Sequence, residues 1–135
     1  MDLRTMSKLL YQLKLANQEL TTSFEKSTGF SLTRYELMQF LLEKDTCLQS
    51  DLQKELHIDS AAVTRHLKYL ETKGYVERER NQTNQREVLV TITETARNEL
   101  LHCAQEHAQS REQFGLNLDD QEQKLLVDLL TKLIE

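Results

Sequence analysis

The residue pattern predicts a mainly α-helical chain carrying one small β-hairpin, and three observations lead there. Proline is absent and glycine occurs only three times in 135 residues, so long helices can run without interruption. Apolar residues recur at helical spacing over most of the length. Only residues 75–92 read as paired strands, with alternating apolar positions and a polar loop between them.

The elements follow in order. Leu3, Met6, Leu10, Leu13, Leu20 and Phe24 place a long amphipathic helix over residues 3–27. Thr33 and Glu36 have the spacing of a capping box, with Leu32 and Leu37 set to close a hydrophobic staple. The helix they open carries Leu37, Met38, Phe40, Leu41 and Leu42 toward a core. A short helix from Ser50 to Leu56 stops at His57, a residue that tolerates the left-handed region better than most. Asp59 then caps a helix running to Thr72 or Lys73. Its Val63, Leu67 and Leu70 fall in one narrow sector, while Ala61, Thr64, Arg65 and Lys68 lie opposite.

Gly74 occupies the stop position, where a left-handed residue is needed. The strand YVERER, the loop NQTNQ and the strand REVLVTI make a hairpin, with Val88, Val90 and Ile92 alternating onto one face. Thr93 caps a further helix over Glu94 to Phe114. Asp119 and Glu122 open the last, which ends in LLVDLLTKLIE. The middle of the chain is therefore a helix-turn-helix followed by a β-wing.

Charge is unevenly placed. The formal net charge is −5, and residues 93–135 hold nine acidic against four basic side chains. Between Val63 and Arg86 the balance reverses, with six Lys or Arg against three Glu. Any affinity for nucleic acid must therefore come from a local patch. Hydrophobic residues at 39% and charged residues at 29% describe ordinary globular material. No Gly-rich phosphate loop, nucleophile motif or paired carboxylate suggests an enzyme, and no cofactor is implied. The opening MDLRTMSKLL lacks an apolar signal core and no run is long enough to span a bilayer, so a cytoplasmic protein is expected.

A helix-turn-helix offers the free face of its second helix to the major groove. On that face Arg65 can bridge guanine O6 and N7, and Thr64 can reach a base edge or phosphate. Ala61, next to Ser60, is small enough to meet a thymine methyl, and Lys68 suits a phosphate. Ser50, at a helix start, can present its hydroxyl to a phosphate. Arg78 and Arg80 share one strand face, and the loop that includes Asn84 and Arg86 suits a minor groove. The same charges also fit a plain solvated face, so a winged-helix module that binds another protein is the alternative.

The run SAAVTRHLKYLETKGYVERERNQTNQREVLVTITETA resembles the recognition helix and wing of the MarR/SlyA family of bacterial transcription regulators. Val63-Thr64-Arg65 with Leu67 and Leu70, then Lys73-Gly74-Tyr75-Val76, carries the likeness, and Arg86 falls on the family's wing arginine. The wing departs at Asn84-Gln85-Arg86, where the family commonly has Asp two residues before the arginine, and Ala96 stands where Gly is frequent. The resemblance implies a homodimer that binds a pseudo-palindromic operator in double-stranded DNA and usually represses nearby genes. Residues 1–30 and 93–135 would supply dimerisation helices and residues 31–92 the DNA-binding region, all within one structural domain. Leu3, Met6, Leu10, Leu13, Leu125, Leu126, Leu129, Leu130, Leu133 and Ile134 support pairing independently, since a monomer would expose them.

Three kinds of signal are open. A small organic effector would meet Tyr11, Tyr35, His66 and Tyr69, although such aromatic residues also serve as core. Thiol oxidation would fall on Cys47, which has Lys44 and Asp45 nearby and no clear source of a lowered pKa. A metal would need His102, Cys103, Glu106 and His107, whose i,i+4 pairs lie on adjacent helix stripes and lack a third ligand.

Overall fold

A computed structural model describes residues 1–109 and 117–135. By its internal contacts the chain divides into two compact units, Met1–Ser23 with Glu112–Glu135, and Phe24–Arg111. The elements are α1 (Leu3–Thr28), α2 (Leu32–Lys44), β1 (Thr46–Leu48), α3 (Gln49–Leu56), α4 (Ser60–Thr72), β2 (Val76–Arg80), β3 (Val88–Ile92), α5 (Glu94–Gln109) and α6 (Asp120–Ile134). The stretch expected to carry α5 on to Phe114 lies outside the described residues.

Within Phe24–Arg111, α2 begins differently from the expected capping box. Ser31, in extended conformation, caps the helix by accepting from the Arg34 N–H, and the Glu25 carboxylate takes the Leu32 N–H at 2.8 Å. Thr33 is thereby drawn into the first turn, where its side chain has no capping task. The α2 exit is Asp45, held at φ 64 with its N–H on the Leu41 carbonyl. Asp45 also pairs with Arg97 of α5, and its carbonyl accepts from the Ile92 N–H at 3.1 Å.

The other signals act as the residue types require. Asp59 accepts from the Ala62 N–H at 2.7 Å, and Gly74 takes φ 77 just after α4. Thr93 accepts from the Ala96 N–H and donates its own hydroxyl to the Gly74 carbonyl at 2.7 Å, joining the α5 start to the α4 exit.

The three strands pair antiparallel in the order β1-β3-β2, with Cys47 opposite Val90 and Arg78 opposite Val90 on the other side. The core lies between sheet and helices. Leu37, Met38 and Leu41 of α2, Leu52 of α3, and Val63, Leu67 and Leu70 of α4 are sealed against Val76, Val90, Ile92, Ala96 and Leu100. Tyr35 closes one edge with its ring 5.2 Å from Phe24 and 5.7 Å from Phe30. Truncating a sealed leucine such as Leu67 to alanine would cost about 2–5 kcal/mol.

In the other unit, Asp119 and Glu122 exchange hydrogen bonds of 2.8 and 3.0 Å with each other's backbone N–H groups at the start of α6. No residue of α1 or α6 is buried. Leu3, Met6, Leu9 and Leu10 of α1, and Leu125, Leu129, Leu130, Leu133 and Ile134 of α6, stand exposed. No helix among the described residues is long and apolar enough to cross a membrane.

Candidate nucleic-acid interface

The α3–α4 pair is fixed by its turn and by its inner face. His57 takes φ 53 and ψ 42 and ends α3, and the chain re-enters a helix two residues later at the Asp59 cap. Leu52, Val63 and Leu67 are fully buried, so α4 cannot roll about its axis without exposing apolar surface. Its outer face carries Ser60, Ala61, Arg65 and Lys68, all exposed. Ser50 is exposed on the first turn of α3.

Thr64 is only partly exposed, and its hydroxyl is engaged. It donates to the Ser60 carbonyl at 2.9 Å and accepts from Gln49 Nε2 at 3.1 Å. Gln49 is not among the sequence candidates; its only local signal is its place immediately before Ser50 at a helix start.

The wing is tightly built. Asn81 bonds backbone to backbone with Glu87 at 2.9 Å, and its Oδ1 accepts from both the N–H and the hydroxyl of Thr83. Asn84 Oδ1 accepts from the Arg86 backbone N–H at 3.2 Å. The side chain replacing the family's aspartate thus shapes the backbone turn, and the Arg86 side chain projects exposed from the wing. Arg80 donates to the Gln85 carbonyl at 2.8 Å. Arg78, on the same strand face as expected, pairs with Glu71 at the end of α4. Each cation thus has a hydrogen-bond partner within the protein.

The effector candidates each have their own immediate partners. Tyr35 packs with Phe24 and Phe30, whereas Tyr69 is exposed with the Arg34 guanidinium 3.9 Å from its ring centre and Lys73 Nζ at 5.6 Å. His66 is half-buried, and burial together with Arg34 and Arg65 pushes its pKa down. Tyr11 is exposed in the other unit, near Lys14. Arg34 escapes a sequence reading because only the fold stacks it on Tyr69.

Cys47 sits in β1 and lines an open cleft with Phe40, Lys44, Asp51 and Lys54. Burial, reinforced by Asp51 and only partly offset by Lys44, pushes its thiol up to about 11. Cys103 is buried and its thiol is likewise raised, by burial and then by Glu106. Along α5, His102 pairs with Glu106 at 3.0 Å on the surface, while His107 Nδ1 lies 2.8 Å from the Cys103 carbonyl. The two pairs face different surroundings. Among the described residues no three His, Cys, Asp or Glu side chains gather as a metal site would require.

A buried-backed helix with a cationic outer face, followed by an arginine-tipped wing, defines the class of winged helix-turn-helix proteins. The MarR family model matches residues 30–88. The chain is 40% identical over 127 residues to the helix-turn-helix-type transcriptional regulator YdgJ of Bacillus subtilis (strain 168), covering 94% of this chain and 77% of that one. It is also 25% identical, over 65% of its length and 62% of the relative's, to the organic hydroperoxide resistance transcriptional regulator of the same organism. Among solved structures, a mutant MarR from E. coli, complexed with operator DNA, superposes with a TM-score of 0.85 at 25% identity, with both chains fully covered. The chain belongs to the MarR family. It is a transcription regulator and not an enzyme.

Proposed function

We propose that this regulator is a homodimeric, cytoplasmic repressor that binds a pseudo-palindromic operator in double-stranded DNA. The outer face of α4 carries this reading: Ala61, Arg65 and Lys68 face outward on a helix whose opposite side is wholly sealed. Arg65 reads guanine in the major groove, Ala61 and Thr64 lie against base edges, and Ser50, Ser60 and Lys68 hold phosphates. Arg86 enters the minor groove from a wing shaped by Asn84, while Arg78 and Arg80 hold that wing in place.

Dimerisation accounts for the apolar residues left exposed on α1 and α6, and a two-fold pair sets two recognition helices about one DNA turn apart. The neighbour caught on operator DNA supports the same use of the fold. Family membership favours this reading over a winged helix that binds only protein. A small organic anion is the signal best matched by Arg34, His66 and Tyr69, since the cation and the aromatic ring are already stacked there. Cys47, with its raised thiol pKa, is poorly suited to peroxide.

Incubating the protein with fragmented genomic DNA and sequencing what it retains tests the proposal. Enrichment of a few fragments sharing a two-fold-symmetric motif is expected. Retention without sequence preference, or no retention, would refute it.

A further inference from the structure

We propose that Gln49 sets the hydrogen-bonding polarity of Thr64, so that Thr64 meets DNA as an acceptor and favours adenine or cytosine on the strand it faces. The inference rests on the reading of α4 as the recognition helix and assigns one of its contacts a base class.

A hydroxyl has one proton and two lone pairs. The Thr64 proton goes to the Ser60 carbonyl at 2.9 Å, and one lone pair accepts the Gln49 amide N–H at 3.1 Å. With an N–H aimed at the oxygen from α3, the proton has no acceptor on that side and stays on Ser60. What Thr64 has left for a ligand is a lone pair. In the major groove the partners for a lone pair are the amino groups of adenine N6 and cytosine N4. Phosphate oxygens, guanine O6 and N7, and thymine O4 are all acceptors and do not match.

Gln49 is also an uneconomical residue for stability alone. Its Oε1 is buried with no hydrogen-bond partner among the described residues. An apolar side chain of similar length would remove that unpaired carbonyl. The amide bond to Thr64 is the task that an apolar residue cannot perform. Gln49 is therefore a positioning residue that acts through Thr64.

The test uses the full chain and a duplex library randomised across its binding site, with base preference read position by position. Wild type should favour adenine or cytosine over guanine or thymine by about three- to tenfold at one position per half-site, the scale of one neutral hydrogen bond. Thr64→Val should abolish that preference and leave the others. Gln49→Met frees the proton to swing outward and should flatten the same position only. In Gln49→Glu the carboxylate accepts the Thr64 O–H hydrogen bond, leaving Thr64 lone pairs for the ligand, so the preference should survive despite weaker overall binding.

A Thr64→Val protein that keeps the preference, or a Gln49→Glu protein that loses it, overturns the proposal whether or not Gln49→Met folds. A folded Gln49→Met protein with the wild-type profile, or one weakened equally at every position, overturns it as well. Absence of any sequence preference in wild type would instead refute the recognition-helix reading, and this inference with it.

Discussion

Arg78 grips Glu71 with two hydrogen bonds, Nε to Oε2 at 3.3 Å and Nη2 to Oε1 at 3.1 Å, joining the last turn of α4 to the first strand of the wing. The pair spans Gly74 and ties the end of α4 to the wing. Arg78 lowers the Glu71 pKa, chiefly through the side-chain hydrogen bond. A depressed carboxyl pKa means stability that is present above the unfolded value and is lost as pH falls through the folded one. Glu71 is exposed, so solvent screening limits the contribution to less than about 1 kcal/mol. Glu71→Gln should be less stable than wild type by that amount in neutral urea melts, and the gap should close in acid below the ordinary glutamate range. A gap independent of pH would contradict the pairing.

Arg65 stands exposed on the sealed helix. Arg65→Ala should cost about 1–3 kcal/mol at the selected operator and relax preference at one base position. Fluorescence titrations against the operator and a single-base variant check this. Equal losses on both duplexes would make Arg65 a phosphate contact.

Arg86 should behave in the opposite way. Because the wing arginine works through charge and groove shape, Arg86→Ala should weaken operator and unrelated DNA nearly equally and lower the salt slope by about one. Titrations at several salt concentrations give the slope. An unchanged slope with altered base preference would place Arg86 on a base edge.

For Cys47, a thiol at about 11 leaves almost no thiolate at neutral pH, so reaction with peroxide should be slow. Wild type and Cys47→Ser should lose DNA affinity to the same small extent under peroxide. A loss confined to wild type would make Cys47 the sensor.

Much of this fold is legible locally, because caps and stops are short-range events. Asp59, His57, Gly74, Thr93 and the Asp119–Glu122 pair each act through neighbours a few residues away. The α2 cap falls at Ser31 and not at Thr33 because both offer a hydroxyl, and only the Glu25 carboxylate on Leu32 shows which turn comes first. β1 is three residues long and owes its status to pairing with β3, more than forty positions away. A still longer separation, 52 positions, hides the Asp45–Arg97 pair. Arg78 can be read as a DNA contact from its spacing, while its pairing with Glu71 across the α4 exit becomes visible only in the fold. Side chains on the recognition helix can be identified by phase alone; how Thr64 uses its proton requires Gln49 to be in place.

Sedimentation of the protein with its selected duplex tests the central claim most directly, that paired recognition helices read neighbouring major grooves. Two chains should bind one duplex together, and inserting about five base pairs between the half-sites should abolish the complex by turning one groove to the far side. A single bound chain, or a complex indifferent to the insertion, would contradict it.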